Sequence, residues 1–527
     1  MQKLFCPVAR QPTHMSLRNR AQALLALFPA FLARLGLVDR RRGEEAFDLA
    51  VPAMVTGGLR TLLRTADFFM VSIATGSTAV AALEIGFQYY FIPFGLALAL
   101  TSGTISVVSR FKGADDHAGA NFAIKQSLWL ALLVSLPITA GTWVYADSMI
   151  GLLNSNPEII ELGAAYLRVV MLTVVFRFWG MTASRALAGA GDTRTPMYVR
   201  LITLPTNIAL NAVLIFGIWV FPELGVVGAA WGTAIANAVA GIVFFAVLLS
   251  GRWDVTLSFS GKQWDWGVAS EIVRVSLPLA GTRLSRTFGR FPFLFVLGLF
   301  SHQVVAAYAI GRRVMLLALM PAWGYSTASS TLVGQQLGAG DPDEAAAYGW
   351  QTLRVALATQ LIIGALLFVA AGPIASAFTP ERFSLTVTFI RIFGLSVAGF
   401  SVARTLRGAL RGAGDTRWPL YGGLIGTYIV RLPLAFLALD PGQIISAGPW
   451  VIDATVHSLS VGPVTTPTIA LGVLTIPGFT VAPGLGWGFA AIFLAIVGDM
   501  YTRAAVNFVR FRSGAWRAYG TPTAAAD

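Results

Sequence analysis

Long apolar stretches separated by short polar segments run along almost the whole chain, and this pattern predicts a protein that crosses a membrane many times. A helix of about 20 mainly apolar residues spans the hydrocarbon core of a bilayer, which is about 30 Å thick. Twelve such helices are predicted, at residues 46–74, 80–108, 122–145, 162–187, 195–217, 225–250, 270–300, 303–331, 346–370, 384–410, 418–439 and 484–510. The predicted fold class is therefore an all-α polytopic membrane protein.

The composition supports a membrane protein and argues against a soluble enzyme. Of the 527 residues, 56% are hydrophobic and 12% are charged, whereas soluble domains carry about 25% charged residues. Cys6 is the single cysteine, which excludes an intramolecular disulfide and a cysteine-based metal cluster. The four histidines lie far apart in sequence and show no metal-ligand spacing.

The distribution of the basic residues predicts the orientation of the chain. Connections after even-numbered spans and the C-terminal tail hold Arg110, Lys112, Arg194, Arg252, Lys262, Arg411, Arg417, Arg510, Arg512 and Arg517. Connections after odd-numbered spans hold almost none, with Arg382 as the exception. Because cytoplasmic loops carry the excess of Lys and Arg, both termini are expected in the cytoplasm. The net charge of +13 thus follows membrane topology, and no nucleic-acid partner is expected.

An internal repeat divides the chain into two halves. Gly189-Ala-Gly-Asp-Thr-Arg-Thr-Pro196 recurs, with one change, as Gly412-Ala-Gly-Asp-Thr-Arg-Trp-Pro419. Pro52 matches Pro278 in the first helix of each half. Six helices per half is an even number, so the two repeats are parallel and related by an axis along the membrane normal.

The predicted organisation has five parts. Residues 1–45 form a basic cytoplasmic segment, which we interpret as lying on the inner membrane surface, with a cleavable signal peptide as the alternative. The N-lobe covers 46–251, a cytoplasmic linker 252–269, the C-lobe 270–510 and a cytoplasmic tail 511–527. An insertion at 441–483 is confined to the second half, where it either caps the outer exit or is tolerated decoration.

The ordered motifs resemble those of the multidrug and toxic compound extrusion (MATE) transporters, which belong to a superfamily that also includes lipid and polysaccharide flippases. The resemblance rests on Arg185–Pro196, Asn207–Gly217, Gly228–Ala230 and the spacing of Pro52 and Asp67, and it covers about residues 46–510. It implies two six-helix lobes around a cavity that opens alternately to either side of the cell membrane. It also implies export of organic solutes driven by H⁺ or Na⁺, with no cofactor besides that ion. The expected partners are membrane lipid and a small organic substrate, and the chain is expected to act as a monomer.

The first candidate site is for the coupling ion. Asp67 is an acid well inside the first span, where ionisable groups usually line a cavity or relay. A structural ion pair with Arg64, three residues earlier, is the alternative. Asn207 and Asn211 share a face of the fifth helix, and the resemblance implies that this helix contributes to the same site. They are candidates to ligate Na⁺ or to hydrogen-bond a protonated Asp67, together with Thr233; helix–helix hydrogen bonding is the alternative.

The second candidate site is a cationic substrate cavity. Arg60 and Arg64 match Arg286 and Arg290 in the other half, and this spacing predicts one cationic stripe per lobe. If both stripes face the cleft, the cavity favours anions or amphiphiles with an anionic head. The alternative is that these arginines bond helix-end carbonyls and brace the lobes.

Other charged and proline residues lie within the spans. The further arginines are Arg177, Arg404, Arg407 and Arg431. Glu84, a further candidate for the substrate cavity, is either a second coupling acid or an outer-surface residue. Pro52 and Pro278 are candidate hinges, because proline bends a helix.

An ion-coupled exporter (H⁺ or Na⁺) is the leading hypothesis for the function. A flippase for an anionic lipid-linked precursor is the alternative on the same fold, with the arginine stripes as its main support. An intramembrane enzyme has little support, because the sequence lacks paired acids, a histidine cluster or a Ser/His arrangement at plausible spacing. A channel is disfavoured, since duplicated lobes with kinked first helices suit alternating access better.

Overall fold

The computed structural model describes residues 27–74, 77–300, 302–378, 383–439 and 486–519. Between residues 440 and 485 it describes only short strands. These described segments are almost entirely helical, as expected for a chain that must satisfy its backbone hydrogen bonds inside a bilayer.

The first half contains eight helices that form six spans. They are α1 (27–34), α2 (Arg40–Ala74), α3 (Ser77–Gly113), α4 (His117–Gly151), α5 (Pro157–Leu172), α6 (Val174–Ala190), α7 (Arg194–Phe216) and α8 (Gly225–Leu249). Helix α1 precedes the spans, and α5 and α6 form one span bent by 48° at Thr173. Arg40, Arg41 and Arg42 form the first turn of α2.

The second half repeats this arrangement with more interruptions. Its helices are α9 (Trp266–Phe288), α10 (Arg290–Phe300), α11 (His302–Ala318), α12 (Met320–Gly338), α13 (Pro342–Val369), α14 (Ala371–Phe378), α15 (Phe383–Gly412), α16 (Arg417–Leu424), α17 (Leu432–Phe436) and α18 (Gly488–Arg512). A π-helix, Ile425–Arg431, joins α16 to α17, and a 3₁₀ turn, Ala515–Tyr519, follows α18. Helices α11 and α12 form one span bent by 42°.

Nine of the predicted spans are apolar and long enough to cross a bilayer, within the described residues, when each bent pair is counted as one. The other three are α2, the broken span of α9 and α10, and the broken span of α16, the π-helix and α17. These three carry Arg60, Arg286, Arg290 and Arg431. Two of the three are interrupted helices, whereas α2 is continuous. The all-α fold class with twelve spans in two lobes is confirmed.

The loop between α17 and α18 contains short strands, each paired antiparallel. β1 (Ala447–Trp450) pairs with β2 (His457–Leu459), β3 (Val464–Thr465) with β6 (Thr480–Val481), and β4 (Ile469–Leu471) with β5 (Leu474–Ile476). The predicted insertion therefore carries local β-structure outside the helical lobes.

The two lobes pack through matching glycines at one end of the bundle. A Cβ at Gly113, the last residue of α3, would lie 1.7 Å from the carbonyl oxygen of Gln335 on α12. A Cβ at Gly338, the last residue of α12, would lie 1.8 Å from the carbonyl oxygen of Arg110 on α3. Such reciprocal contacts are the signature of a two-fold interface. Only glycine permits this approach, so the pseudo-symmetry axis of the repeat passes between these helix ends.

Hydrogen bonds across the interface follow the same symmetry. The Ser106 hydroxyl on α3 donates to the carbonyl of Gly412 at 3.3 Å. Thr331, at the equivalent place on α12, donates to the carbonyl of Ala188 at 2.7 Å. The ends of α6 and α15, where the two copies of the Gly-Ala-Gly motif begin, thus each lie against the second span of the opposite lobe. We call this end of the bundle the loop face.

Candidate functional site

The first helices of the two lobes share a local device at their prolines. In α2 the hydroxyl of Thr56 donates to the carbonyl of Pro52 at 2.9 Å. In α9 the hydroxyl of Thr282 donates to the carbonyl of Pro278, also at 2.9 Å. Proline lacks an N–H and weakens the helix around it, and both lobes place a threonine one turn after it. Both candidate hinges therefore lie inside long helices, with the same hydrogen bond beside each.

The candidate coupling site in the N-lobe is described only in part. The backbone of Arg60, Arg64 and Asp67 belongs to α2, but their side chains lie outside the part of the chain that the structure describes. Asn207 and Asn211 on α7 are buried, and the amide of Asn211 donates to the side-chain oxygen of Asn207 at 3.1 Å. The two asparagines thus share a face, as their spacing indicates.

The remaining predicted site residues of the N-lobe do not join this asparagine pair. Thr233 on α8 is half-buried, and no hydrogen bond links it to another described residue. Glu84 is an exposed residue two turns into α3, and it forms no ion pair with a described residue. Their roles stay predictions.

A separate polar cluster in the N-lobe surrounds Arg177. Its guanidinium donates to the side-chain oxygen of Asn237 at 3.1 Å and lies 5.0 Å from the ring centre of Tyr90 and 4.9 Å from that of Phe94. Asn237 in turn donates to the hydroxyl of Tyr90 at 3.2 Å. This arginine is therefore held by aromatic faces and an amide, with no carboxylate among its described partners.

The C-lobe encloses a cavity of about 140 Å³. This is well above the minimum of about 10–15 Å³ that a cavity needs to hold a water molecule. Its charged lining consists of Arg286, Arg290, Arg312, Arg404, Arg407, Arg431, Arg503 and Asp499. Seven arginines therefore face one carboxylate among the described lining residues. We call this space the arginine cavity.

Two irregular spans, the broken span of α9 and α10 and the span with the π-helix, contribute arginines to this cavity. The sequence predicts Arg286 and Arg290 on one continuous helix, but the helix breaks at Gly289, which separates α9 from α10. A Cβ at Gly289 would lie 2.0 Å from Cγ2 of Thr427 in the π-helix, so the break allows the two spans to touch. The hydroxyl of Tyr428 donates to the carbonyl of Ser285 at 3.1 Å across this contact.

Asp499, the acid among the described lining residues, contacts two of the cavity arginines. Arg503 Nε donates to Asp499 Oδ1 at 2.7 Å, and Arg431 Nη1 lies 3.8 Å from Asp499 Oδ2. Arg503 also donates to the hydroxyl of Thr427 at 2.7 Å. Because Arg431 is the last residue of the π-helix, that irregular turn places it opposite α18. Helices with π-type turns are frequent at functional sites.

Aromatic rings make cation–π contacts with two of the cavity arginines. The Arg404 guanidinium lies 4.0 Å from the ring centre of Trp323, and that of Arg431 lies 3.9 Å from the ring centre of Phe293. Such stacking stabilises a desolvated cation by about 2 kcal/mol. The Nε atoms of Arg404 and Arg431 are buried without a hydrogen-bond acceptor in the described structure.

Four cavity arginines form no hydrogen bond or ion pair with a described residue. They are Arg286, Arg290, Arg312 and Arg407, although the negative charge of Asp499 acts on Arg286. Among the described residues, the charges that act most strongly on Arg407 are those of Arg283, Arg286, Arg411 and Arg503. The positive charge thus continues from the cavity toward the interface between the lobes, where Arg411 donates to Ser330 Oγ at 3.1 Å.

Ion pairs close the loop face on the outside of the glycine contact. Arg42 on α2 makes two hydrogen bonds to Glu344 on α13, at 2.6 and 3.0 Å, and Arg41 adds a third at 2.7 Å. The hydroxyl of Tyr348 donates to Glu45. These contacts join the first helix of the N-lobe to the third span of the C-lobe, so the loop face is shut.

Sequence reasoning overlooked part of this site. It identified Arg286, Arg290, Arg404, Arg407 and Arg431 but omitted Arg312, Asp499 and Arg503. The overlooked signal was an acid and an arginine four residues apart inside the last apolar span, because intramembrane ionisable residues are functional candidates by default.

Comparison with known proteins agrees with the duplicated fold. The MatE family model matches residues 52–213 and again residues 278–437. A probable multidrug resistance protein NorM from Thermotoga maritima is 29% identical over 430 residues, covering 81% of this chain and 91% of the relative.

Two solved structures show the same architecture. One, described as an outward-facing conformation of a multidrug resistance MATE family transporter, has a TM-score of 0.76 at 20% identity and covers 90% of this chain and 95% of its own. Another, from Pyrococcus furiosus, has a TM-score of 0.74 at 20% identity and covers 90% of this chain and 95% of its own. It is described as a MOP superfamily transporter whose binding pocket has reversed polarity, suggesting a different function. Since the family model matches most of the chain, once in each lobe, this protein belongs to the MatE family of membrane transporters.

Proposed function

We propose that this protein is an ion-coupled antiporter that exports organic solutes across the cytoplasmic membrane by alternating access. The observation that carries the proposal is the pair of lobes that meet at a shut loop face, with an arginine-lined cavity in one of them. Duplicated lobes that rock about an axis along the membrane normal suit such a cycle. Multidrug resistance relatives support an organic substrate.

The loop face is proposed to lie in the cytoplasm, which makes the described state outward-facing. Its support is the excess of Arg and Lys in the loops at that end. Cys6, the single cysteine in the sequence, offers a direct test. A membrane-impermeant maleimide should label Cys6 in everted vesicles and leave it unlabelled in intact cells. In a Cys6→Ser background, Val220→Cys, at a residue that is 89% exposed beside the outer end of α7, should give the reverse pattern.

The coupling ion is proposed to bind at Asp67, with the amides of Asn207 and Asn211 beside it and Thr233 as a further oxygen donor. Transport into everted vesicles under an imposed H⁺ or Na⁺ gradient, with Asp67→Asn against wild type, tests this role. The variant should lose gradient-driven transport while retaining substrate binding. Asp48→Asn, at an exposed acid in the same helix that pairs with Arg194, is the matched control. Full transport by Asp67→Asn would refute the coupling role.

A flippase for an anionic lipid-linked precursor is the second candidate function. The seven arginines of the cavity favour it. Transport of a fluorescent anionic lipid in proteoliposomes, compared with a cationic dye, separates the two functions.

A further inference from the structure

We propose that the arginine cavity of the C-lobe binds the anionic group of an amphiphilic organic anion, a phosphate or carboxylate, and that Asp499 is its built-in counter-ion. The inference deepens the proposed function, because it names the substrate class of the same transporter.

The charge balance is the first support. Each arginine in the membrane interior is costly, by about 2.5–3.5 kcal/mol on insertion scales. The cavity carries seven of them against Asp499 among its described lining residues. Four form no hydrogen bond or ion pair with a described residue, and they come from α9, α10, α11 and α15, which the fold brings around one space. A bound anion removes this mutual repulsion.

The geometry of the donors is the second support. Guanidinium groups bind phosphate and carboxylate through two parallel hydrogen bonds. Asp499 accepts one hydrogen bond from Arg503 and lies within ion-pair distance of Arg431, so the cavity accommodates a carboxylate. Arg286 and Arg407 line the same space with their donors available. An incoming anion therefore competes with Asp499 for Arg431 and Arg503 while it gains Arg286 and Arg407.

The apolar part of the lining is the third support. Leu316 and Trp323 are 47% and 40% exposed although they lie at the cavity. Met315 and Phe400 lie beside them. A purely inorganic anion leaves this surface in contact with water, whereas an amphiphile covers it. The small volume limits the buried portion to a head group and the start of its apolar body.

Binding to the purified protein in phosphatidylcholine nanodiscs tests the charge preference without any ion gradient. Decyl phosphate should raise the thermal unfolding temperature and bind at least tenfold more tightly than decyltrimethylammonium, which has the same chain length and opposite charge. Arg286→Gln and Arg407→Gln should each weaken decyl phosphate binding about tenfold. Arg391→Gln, at an exposed residue on the same helix as Arg407 that stacks on Phe368, should leave it unchanged. Equal affinity for the two amphiphiles, or unchanged affinity in both cavity variants, would overturn the proposal.

The role of Asp499 has its own readout. Asp499→Asn should bind decyl phosphate more tightly than wild type, because the competing carboxylate is gone. If that variant does not fold, Thr427→Val serves instead. It removes the hydroxyl that accepts from Arg503, so it frees a donor and should also tighten binding. Weaker binding in Asp499→Asn, or in Thr427→Val if only that variant folds, would contradict the claim that an incoming anion competes with the groups that hold Arg503.

A lipid head group and a water-soluble organic anion share this chemistry, and two arms distinguish them. Phenyl phosphate is added to phosphatidylcholine nanodiscs in one, and phosphatidic acid is built into the nanodiscs in the other. Stabilisation by phenyl phosphate alone identifies a soluble substrate, and stabilisation by phosphatidic acid alone identifies a lipid. Stabilisation by both identifies recognition of the phosphate itself, and by neither refutes the site. Anion binding without transport in vesicles would count against the exporter alone.

Discussion

Asp499 accepts a hydrogen bond from Arg503, one turn later on α18, at 2.7 Å, and both side chains are buried. A same-helix pair of this kind is ordinarily a minor stabiliser on a surface. In the arginine cavity, Asp499 also lies within ion-pair distance of Arg431, so among the described lining residues its carboxylate offsets the charge of two arginines.

Asp499→Asn should therefore lower the thermal stability of the ligand-free protein strongly. Breaking a buried ion pair leaves an uncompensated charge and costs about 3–5 kcal/mol. Asp147→Asn, which breaks the exposed pair of Asp147 with Arg168, should cost less than about 1 kcal/mol. Unfolding curves in the same nanodiscs compare the two, and equal losses would contradict a central role for Asp499.

Gly113→Ala should open or destabilise the loop face. The added methyl would fall within 1.7 Å of the Gln335 carbonyl, which is backbone and cannot rotate away. Gly95→Ala on the same helix meets no atom within 4 Å and should be tolerated. Spin labels on α2 and α13 report the distance between the lobes at this end. An unchanged distance distribution in Gly113→Ala, with unchanged stability, would show that the contact does not hold the face shut.

Glu344→Gln should shift the protein toward states with an open loop face. Glu344 binds Arg42 through two hydrogen bonds and Arg41 through a third, so the substitution removes the charge that joins α2 to α13. The pair is partly exposed, and about 1 kcal/mol, or roughly a fivefold shift in population, is expected. Glu44→Gln breaks only the exposed pair with Arg40 within α2 and should have no effect on the distance between the same spin labels.

Asp265 should make the linker before α9 sensitive to acid. The ammonium of Lys262, which donates to Asp265 at 2.6 Å, and then the backbone N–H of Val268 hold the pKa of Asp265 below its usual value. The folded state thus favours the ionised carboxylate. Its stabilising effect is complete above the unfolded-state pKa of about 3.9 and is lost as the pH falls through the lower folded-state pKa.

Asp265→Asn keeps a capping oxygen but not the charge. Its unfolding temperature should be below that of wild type at about pH 6, and the difference should shrink as the pH falls below about 4. A difference that stays constant with pH would show that the carboxylate contributes only as a cap for α9.

The sequence predicted the spans and the duplication well, because both depend on patterns along the chain itself. Apolar runs of bilayer length identify helices without knowledge of their neighbours, and the Gly189 and Gly412 motifs mark equivalent ends. The reciprocal contact of Gly113 and Gly338 was not foreseen, since each glycine looks like an ordinary helix end.

The arginine cavity was only partly foreseen, because its members come from five different spans. The mirrored positions of Arg286 and Arg290 pointed to it, but the break at Gly289 and the π-helix before Arg431 left no clear sequence signal. The two irregularities meet at Gly289 and Thr427. A one-dimensional pattern does not contain that contact.

The positive lining of the C-lobe also changes the energetics that transport would require. A cell interior is electrically negative, so an anion that leaves the cytoplasm moves with the membrane voltage and gains about 2.3 kcal/mol per charge at 100 mV. A cationic drug must move against the same voltage. A MatE transporter whose cargo is anionic therefore draws part of its driving force from the voltage itself, and fewer coupling ions suffice for each molecule expelled.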